Sequence, residues 1–334
     1  MATDWTATVI IALVALGGSL YLTAAAMRWL KRRAILDRPG ARSLHSAPIP
    51  RGGGLALVPT VGLCWIVLAA LGVAPPQSAA IAVVALALAL LSFVDDLRSL
   101  PVILRLLGHV AAVILGISLL PADAPIFQGW LPPLLDRVAT AAIWVWFVNL
   151  YNFMDGIDGI AGVETASLGI GTALVATLAG AAGAPPALAV AAAALGFLRW
   201  NWQPAKVFLG DSGSVPLGYL LGWLLLLLAG QGLWAAALIL PLYYLADATI
   251  TLVHRALRGE RVWQAHRSHF YQRAAQSDGD HAAVSLIVLG GNIALIGLAV
   301  ASVYAPLAAL AGGAIVAAAT LMALQRRSRR APAP

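Results

Sequence analysis

The feature that most constrains this chain is a series of apolar segments of about 17–24 residues, separated by short breaks rich in polar residues, glycine and proline. A helix needs about 20 residues to cross a hydrocarbon core of roughly 30 Å, whereas strands of a membrane barrel alternate over about 10 residues. Only 10% of the residues are charged and 61% are hydrophobic, while soluble domains average about 25% charged. The sequence therefore predicts an all-α integral membrane protein and excludes a water-soluble domain.

Eleven spans are predicted, and they form a single polytopic membrane domain over residues 1–334. Their predicted bounds are Thr8–Leu30, Leu55–Val73, Ser78–Val94, Val102–Leu120, Arg137–Phe153, Ile160–Ala181, Pro186–Leu198, Ser214–Ala229, Leu233–Val253, Ala283–Tyr304 and Pro306–Leu324. Cytoplasmic loops are then expected near 31–54, 95–101, 154–159, 199–213 and 254–282. The single cysteine, Cys64, lies inside an apolar segment, so no intramolecular disulfide can form.

The distribution of positive charge orients these spans. If the N-terminus lies outside and the spans alternate, all of the 21 lysines and arginines except Arg137 fall on the inner side. Cytoplasmic loops carry such an excess of positive charge. Because Lys31, Arg32 and Arg33 follow the first apolar segment and no basic residue precedes it, we expect a retained anchor and not a cleaved signal peptide. The net charge of +7 then needs no nucleic acid, and the C-terminus is expected in the cytoplasm.

Two adjacent carboxylates, Asp95 and Asp96, follow the third predicted span. Like charges side by side raise one of the two pKa values and attract a cation or a basic partner. The pair therefore suits a metal site or proton handling. A solvated helix end is the alternative interpretation.

A second polar cluster ends the fifth predicted span. Asn149, Asn152 and Asp155 are three residues apart, so a continuous helix would place them on one face, and Asp158 follows. Oxygen ligands of this kind suit Mg²⁺, which binds through one or two protein groups together with substrate phosphates. A polar seam between helices is the alternative.

A third cluster, Gly-Asp-Ser-Gly-Ser, precedes the eighth predicted span. Ser214 is expected to N-cap that helix, and a helix N-terminus favours anions such as phosphate. Gly210 allows close approach of backbone to a ligand, Ser212 adds a hydroxyl group, and Asp211 could hold a metal that bridges to the phosphate. The alternative is a capped loop with one solvated aspartate.

The fourth cluster lies in the longest inner loop and comprises His266, Arg267, His269 and Arg273. Arginine and histidine side chains bind anions through charge-assisted hydrogen bonds. Zinc is disfavoured because no further cysteine or histidine set completes four ligands. A solvated basic loop is the alternative.

Two further features are weaker. Arg51 precedes three glycines in the first inner loop, which also contains His45, and a basic glycine-rich turn can cradle a phosphate. Asp247 lies inside the ninth predicted span. An acid inside a membrane is a functional candidate by default, and a structural hydrogen bond is an equally good interpretation of it.

In motif order and over nearly its whole length, the sequence resembles the polyprenyl-phosphate N-acetylhexosamine-1-phosphate transferase superfamily, glycosyltransferase family 4. That family includes undecaprenyl-phosphate GlcNAc-1-phosphate transferases and the phospho-MurNAc-pentapeptide translocase. The motifs are Asp-Asp, Asn-x-x-Asn-x-x-Asp-Gly-Ile-Asp-Gly, Gly-Asp-x-Gly-Ser and a histidine-rich loop. Eleven spans fit the GlcNAc-1-phosphate branch better than the ten of the translocase.

The resemblance implies transfer of a sugar 1-phosphate from a UDP-sugar to polyprenyl phosphate, with release of UMP. It implies Mg²⁺, for which Mn²⁺ can substitute, on Asp211 and Asn152. Asp95 and Asp96 would then be catalytic together with Asp211. The histidine loop would face the donor pyrophosphate, but its sequence departs from the His-x-His-His form of the GlcNAc-1-phosphate enzymes. This departure leaves the sugar open. The sequence also leaves open the length of the lipid and whether the protein forms a homodimer.

Two other functions are weighed. An intramembrane aspartyl protease would need Gly-x-Gly-Asp, but position 208 is Phe. An ion-coupled transporter would place its polar residues near the midplane, in two related halves. Here the polar clusters lie at the inner ends of the predicted spans and no related halves are evident, so the resemblance to the transferases is the preferred interpretation.

Overall fold

The computed structural model describes residues 4–39, 47–121, 124–261 and 266–329; His45 of the first inner loop lies outside these ranges. Within them the chain forms thirteen helices and one short ribbon. The helices are α1 (Trp5–Arg32), α2 (Gly54–Ala70), α3 (Gln77–Arg98), α4 (Val102–Ser118), α5 (Pro133–Phe153), α6 (Ile160–Leu178), α7 (Ala184–Asn201), α8 (Asp211–Gly230), α9 (Trp234–Ile239), α10 (Leu242–Leu257), α11 (Phe270–Asp278), α12 (His281–Ala301) and α13 (Pro306–Ser328).

Six of these helices are long and apolar enough to cross a membrane, judged by length and composition: α1, α3, α6, α8, α12 and α13. Two shorter helices, α2 and α4, are also apolar. Each predicted span except the ninth corresponds to one helix. The chain is therefore a helical membrane protein, as the sequence predicts.

The bundle is built around α8. In its most apolar stretch 94% of the residues are buried, compared with 22% in α1. Small residues allow this close packing: a Cβ atom on Gly218 would lie 2.9 Å from the Tyr151 side chain, and one on Gly222 would lie 2.4 Å from Trp144 Nε1. Large apolar side chains on outer helices, such as Leu13 and Ile315, are exposed, as expected of residues that face lipid.

The ninth predicted span, Leu233–Val253, is wrong as a single helix. It divides into α9 and α10 around Leu240 and Pro241. Proline has no backbone N–H and clashes with the preceding turn, which breaks a helix at this kind of position. The long inner loop also contains a helix that was not predicted, α11, which begins directly after His269.

The first inner loop contains a ribbon that an all-α prediction omits. Strands β1 (Leu36–Asp37) and β2 (Ile49–Pro50) pair antiparallel, with Leu36 opposite Pro50 and Asp37 opposite Ile49. An isolated parallel bridge then joins Arg51 to Phe208, in the segment before α8. The ribbon therefore places Asp37 and Arg51 beside the N-terminus of α8.

Candidate active site

A polar cavity of about 390 Å³ lies where the predicted inner loops meet. Its walls come from the segment after β2, the end of α5, the α5–α6 turn, the segment before α8 and the residues before α11. Eight of the predicted site residues line it: Arg51, Asn152, Asp155, Asp158, Gly210, Asp211, His266 and Arg267. Side chains far apart in the sequence thus form one site.

Arg51 joins two carboxylates at one edge of this cavity. Its Nη2 atom lies 2.8 Å from Asp211 Oδ1 and 2.9 Å from Asp96 Oδ1. Burial lowers the pKa of Arg51, but the charges of Asp211 and Asp96 outweigh it and raise that pKa above its usual value, so Arg51 is charged. The second oxygen of Asp96 accepts a bond of 3.4 Å from the backbone N–H of Ser212, in the first turn of α8.

The acid pair is divided between two environments. Asp95 Oδ1 accepts a bond of 2.6 Å from Leu100 N, and its Oδ2 lies 3.1 Å from Arg105 Nη1. These contacts bind Asp95 to the turn between α3 and α4, away from the cavity. Only Asp96 joins the cluster of Arg51 and Asp211, so the catalytic role predicted for Asp95 stays a prediction.

The predicted N-cap of α8 is wrong. The helix begins at Asp211, and the residue before it, Gly210, is the N-cap with a φ of 74°. A Cβ atom on Gly210 would also lie 3.1 Å from Asp96 Oδ2, so glycine is needed here for two reasons. Ser214 lies one turn into the helix, where its hydroxyl donates to Asn152 Oδ1. That bond ties the end of α5 to the start of α8.

Asn149 lies apart from the cavity that Asn152 and Asp155 line. Its side-chain amide donates to Val145 O at 2.7 Å, one turn back along α5. The helix ends at Phe153, so Asp155 is not on the helical face that the three-residue spacing predicts.

The backbone amides of the glycine-rich turn after Arg51 are bonded to other backbone groups of the chain. The backbone N–H groups of Gly52 and Gly53 donate to Phe208 O, and that of Gly54 donates to Leu209 O. These amides are therefore not offered to a phosphate in this structure. Their role is to hold the start of α2 against the segment before α8.

Two aspartates of the α5–α6 turn differ in their partners. Asp158 Oδ2 accepts a bond of 3.0 Å from Ala205 N, and its Oδ1 lies 3.4 Å from His281 Nδ1. Asp155 is half-buried. Burial, followed by repulsion from Asp211, raises the pKa of Asp155 to about 7.

The histidine loop contributes to the site unevenly. His266 and Arg267 line the cavity, whereas His269 is buried behind them. Burial, followed by the neighbouring His269 and Arg255, lowers the pKa of His266 to about 4, so this ring is neutral at pH 7. Arg273 points elsewhere, since its Nη2 atom donates to Gln325 Oε1 at 2.8 Å.

Four cavity residues with polar side chains were not predicted as site residues. They are Asp37, Asn201, Gln272 and His281. Asn201 accepts a bond from Gly159 N and donates to Val207 O, so it also shapes the turn that carries Asp158. The position of Asn201, an amide at the end of an apolar span, could have indicated a site residue. Asp37 lies in a basic loop, and no pattern in the sequence marks it as a site residue.

The donor groups around the cavity fit Mg²⁺. Asp211 and Asn152 line the cavity and carry carboxylate and amide oxygens, and Asp96 Oδ1 lies beside them, paired with Arg51 at 2.9 Å. Within the described ranges, no three His, Cys, Asp or Glu side chains form a group that could hold a metal by themselves. Mg²⁺ usually binds through only one or two protein groups and completes its coordination with substrate phosphates and water.

Comparison with known proteins assigns the family. A model of glycosyl transferase family 4 matches residues 78–229. A decaprenyl-phosphate N-acetylglucosaminephosphotransferase of Mycobacterium tuberculosis is 31% identical over 95% of this chain and 90% of its own length. The chain belongs to glycosyl transferase family 4.

Other relatives in this family carry related names. A probable undecaprenyl-phosphate N-acetylglucosaminyl 1-phosphate transferase of Bacillus subtilis is 30% identical over 73% of this chain and 72% of its own length. A phospho-N-acetylmuramoyl-pentapeptide-transferase of Synechococcus is 32% identical over 70% of each chain. Bacterial relatives and candidate spanning helices together indicate a multi-pass bacterial membrane protein. The family also favours a transferase over the transporter and the protease.

Proposed function

We propose that this protein transfers an N-acetylated sugar 1-phosphate from a UDP-sugar to polyprenyl phosphate. A phosphate oxygen of the acceptor attacks the β-phosphorus of the donor, the bond between the two donor phosphates breaks, and UMP leaves. The product is a polyprenyl-diphosphate-linked sugar. The observation that carries the proposal is one cavity whose walls hold the hydrogen-bond donors His266 and Arg267 together with the oxygen-bearing side chains Asp211 and Asn152.

Phosphoryl transfer depends mainly on positioning and on neutralising charge. Arg267 and neutral His266 would bind the non-bridging oxygens of the donor pyrophosphate. Asp211 and Asn152 would hold Mg²⁺, which neutralises phosphate charge when bound. Arg51 Nη2 lies 2.9 Å from Asp96 Oδ1 and 2.8 Å from Asp211 Oδ1 and so holds the two carboxylates together. Asp96 would orient or deprotonate the acceptor phosphate beside this cluster.

The active site is proposed to face the cytoplasm of a bacterial inner membrane. All described lysines and arginines except Arg137 belong to the predicted inner segments, and the cavity lies at the helix ends that these segments join. UDP-sugars are soluble anions, so this side would give them access. The product would initiate O-antigen and lipopolysaccharide synthesis, cell-wall synthesis or that of another surface glycan.

The test is release of UMP from a UDP-sugar by the purified protein. Release should require both added polyprenyl phosphate and Mg²⁺, and a panel of N-acetylated sugars would identify the donor. Asp211→Asn should abolish release while the protein remains folded in detergent. Release of UMP without the lipid would contradict the proposed reaction. An Asp211→Asn protein with unchanged release would contradict the metal assignment.

A further inference from the structure

Asp247 is a buried acid that does not line the cavity. It lies in α10 with 0% of its surface exposed. A buried carboxylate is costly unless hydrogen bonds satisfy it. Asp247 has such bonds on both oxygens, and three of its partners belong to the segment that begins α11: His269 Nδ1 at 3.2 Å, Phe270 N at 3.0 Å and Tyr271 N at 3.2 Å.

Asp247 thereby fixes where α11 begins. The first N–H groups of a helix have no partner within it, and a carboxylate at that end is favourable. Asp247 accepts from the N–H groups of the first two residues of α11, although it belongs to another helix. Tyr243 and Thr251, one turn before and after it on α10, also donate to Asp247, at 3.2 and 3.4 Å.

A stack of rings leads from Asp247 to the cavity. The ring of His269, which Asp247 holds, stacks on His266 with a centroid distance of 4.8 Å. His266 lines the cavity. His269 also stacks on Tyr271, with a centroid distance of 5.7 Å, and the Tyr271 hydroxyl donates to Phe153 O, at the end of the helix that carries Asn152.

The other end of α11 has different supports. Arg273 donates to Gln325 at 2.8 Å, and Arg327 forms an ion pair with Asp278 at 2.6 Å. Both contacts connect α11 to α13. Loss of Asp247 should therefore loosen the start of α11 and the residues before it, while the end of α11 stays attached.

We propose that Asp247 is a positioning residue that holds His269 and the start of α11 so that His266 and Arg267 face the donor pyrophosphate. The inference rests on the proposed function, which assigns the donor to that wall. Asp247 itself does not touch the substrate, so its effect passes through the histidine loop.

The test is Asp247→Asn, because asparagine keeps the size but only its Oδ1 can accept, so the bond from either Phe270 N or Tyr271 N is lost. Loss of hydrogen bonds that hold the start of α11 predicts a donor KM raised roughly tenfold, with lower kcat and an unchanged lipid KM. Glu164→Gln is the matched control, since Glu164 is another fully buried acid, bonded to Asn292 on α12. That variant should retain the donor KM of the unmodified protein.

A double-mutant cycle separates positioning from general stabilisation. In a His266→Ala protein, Asp247→Asn should add much less than it costs alone, since residues that act through one another are not additive. Full additivity, or an unchanged donor KM in folded Asp247→Asn protein, would overturn the proposal. If Asp247→Asn does not fold, His269→Phe removes the contact between the His269 ring and Asp247 but keeps a ring. This variant should also raise the donor KM, and an unchanged value would overturn the proposal.

A measurement without turnover keeps this test independent of the proposed function. Hydrogen exchange of a peptide covering residues 266–278 should be faster in Asp247→Asn than in Glu164→Gln, while α13 exchanges equally in both. If no UDP-sugar is turned over by the unmodified protein, the proposed function fails. Equal exchange at residues 266–278 would sink the positioning role whatever the reaction.

Discussion

At the scale of single residues, the partners of each carboxylate decide which acid is available for chemistry. Asp95 and Asp96 are neighbours in sequence, yet one is held by Arg105 and a backbone amide and the other by Arg51. Successive residues of a helix point about 100° apart, so adjacent side chains meet different surroundings. The pair therefore should not behave as one unit.

Asp96→Asn is expected to lower kcat by orders of magnitude, because it removes a charge from the cluster of Arg51 and Asp211. Asp95→Asn should have a smaller effect on kcat and should mainly lower thermal stability. Arg105→Gln is its matched control and should reproduce the same behaviour. Steady-state kinetics and melting temperatures in detergent check this; equal kcat losses for both aspartates would show that Asp95 also acts in the reaction.

The raised pKa of Asp155 predicts a pH dependence of Mg²⁺ binding. With a pKa of about 7, Asp155 is protonated below pH 7 and ionised above it. A cation in this cavity favours the ionised form, so its affinity should fall as pH drops from 8 to 6, by at most roughly tenfold per unit. The Mg²⁺ concentration for half-maximal rate should rise accordingly, and Asp155→Asn should flatten this dependence. A profile identical in the variant would exclude Asp155 as the group responsible.

At the scale of elements, contact between backbones brings the site together. The start of α2 lies directly against the start of α8, since a Cβ atom on Gly54 would be 2.2 Å from Gly213 N. The amide bonds from Gly52, Gly53 and Gly54 to Phe208 and Leu209 reinforce the contact. Arg51 lies just before this junction and Asp211, the first residue of α8, lies within it, so the junction sets their ion pair.

Gly54→Ala is therefore expected to destabilise the fold, by about 1–3 kcal/mol or more, because backbone cannot move aside as a flexible side chain can. Gly297→Ala is the matched control: Gly297 lies in α12 with nothing within 4 Å of its would-be Cβ atom. Alanine there should be neutral or stabilising by up to about 1 kcal/mol. Melting of both purified variants checks the prediction, and a Gly54→Ala protein as stable as the control would refute the junction.

At the scale of the whole molecule, the end of the bundle that carries the cavity must face the cytoplasm for the proposed reaction. Reporter fusions after Arg105 and Arg273 should read as cytoplasmic, and a fusion after Gln128 should read as external. This follows from the bias of positive charge toward one side. An external signal at Arg273 would put the histidine loop on the wrong side of the membrane for a UDP-sugar.

Much of this molecule could be predicted from its sequence, because a bilayer imposes strong rules on composition. Apolar length predicts helices, and the order of the polar motifs predicts the family and half of the residues that line the cavity, such as Asp211 and His266. Local rules also predict breaks at proline, although the predicted ninth span runs through Pro241. These features depend on short stretches of chain and on the solvent around them.

What only the tertiary structure decided depends on contacts between distant segments. In the folded protein Arg51 lies between Asp96 and Asp211, and the glycine amides bond to the segment before α8. Asp247 accepts hydrogen bonds from the start of α11. Arg273 bonds to Gln325 of α13, while Arg267, six residues earlier, lines the cavity. A motif shows which groups are present, but only the packing of helices fixes which partner each group meets. The reason is that a hydrogen bond tolerates a change of only a few tenths of an ångström in the distance between donor and acceptor.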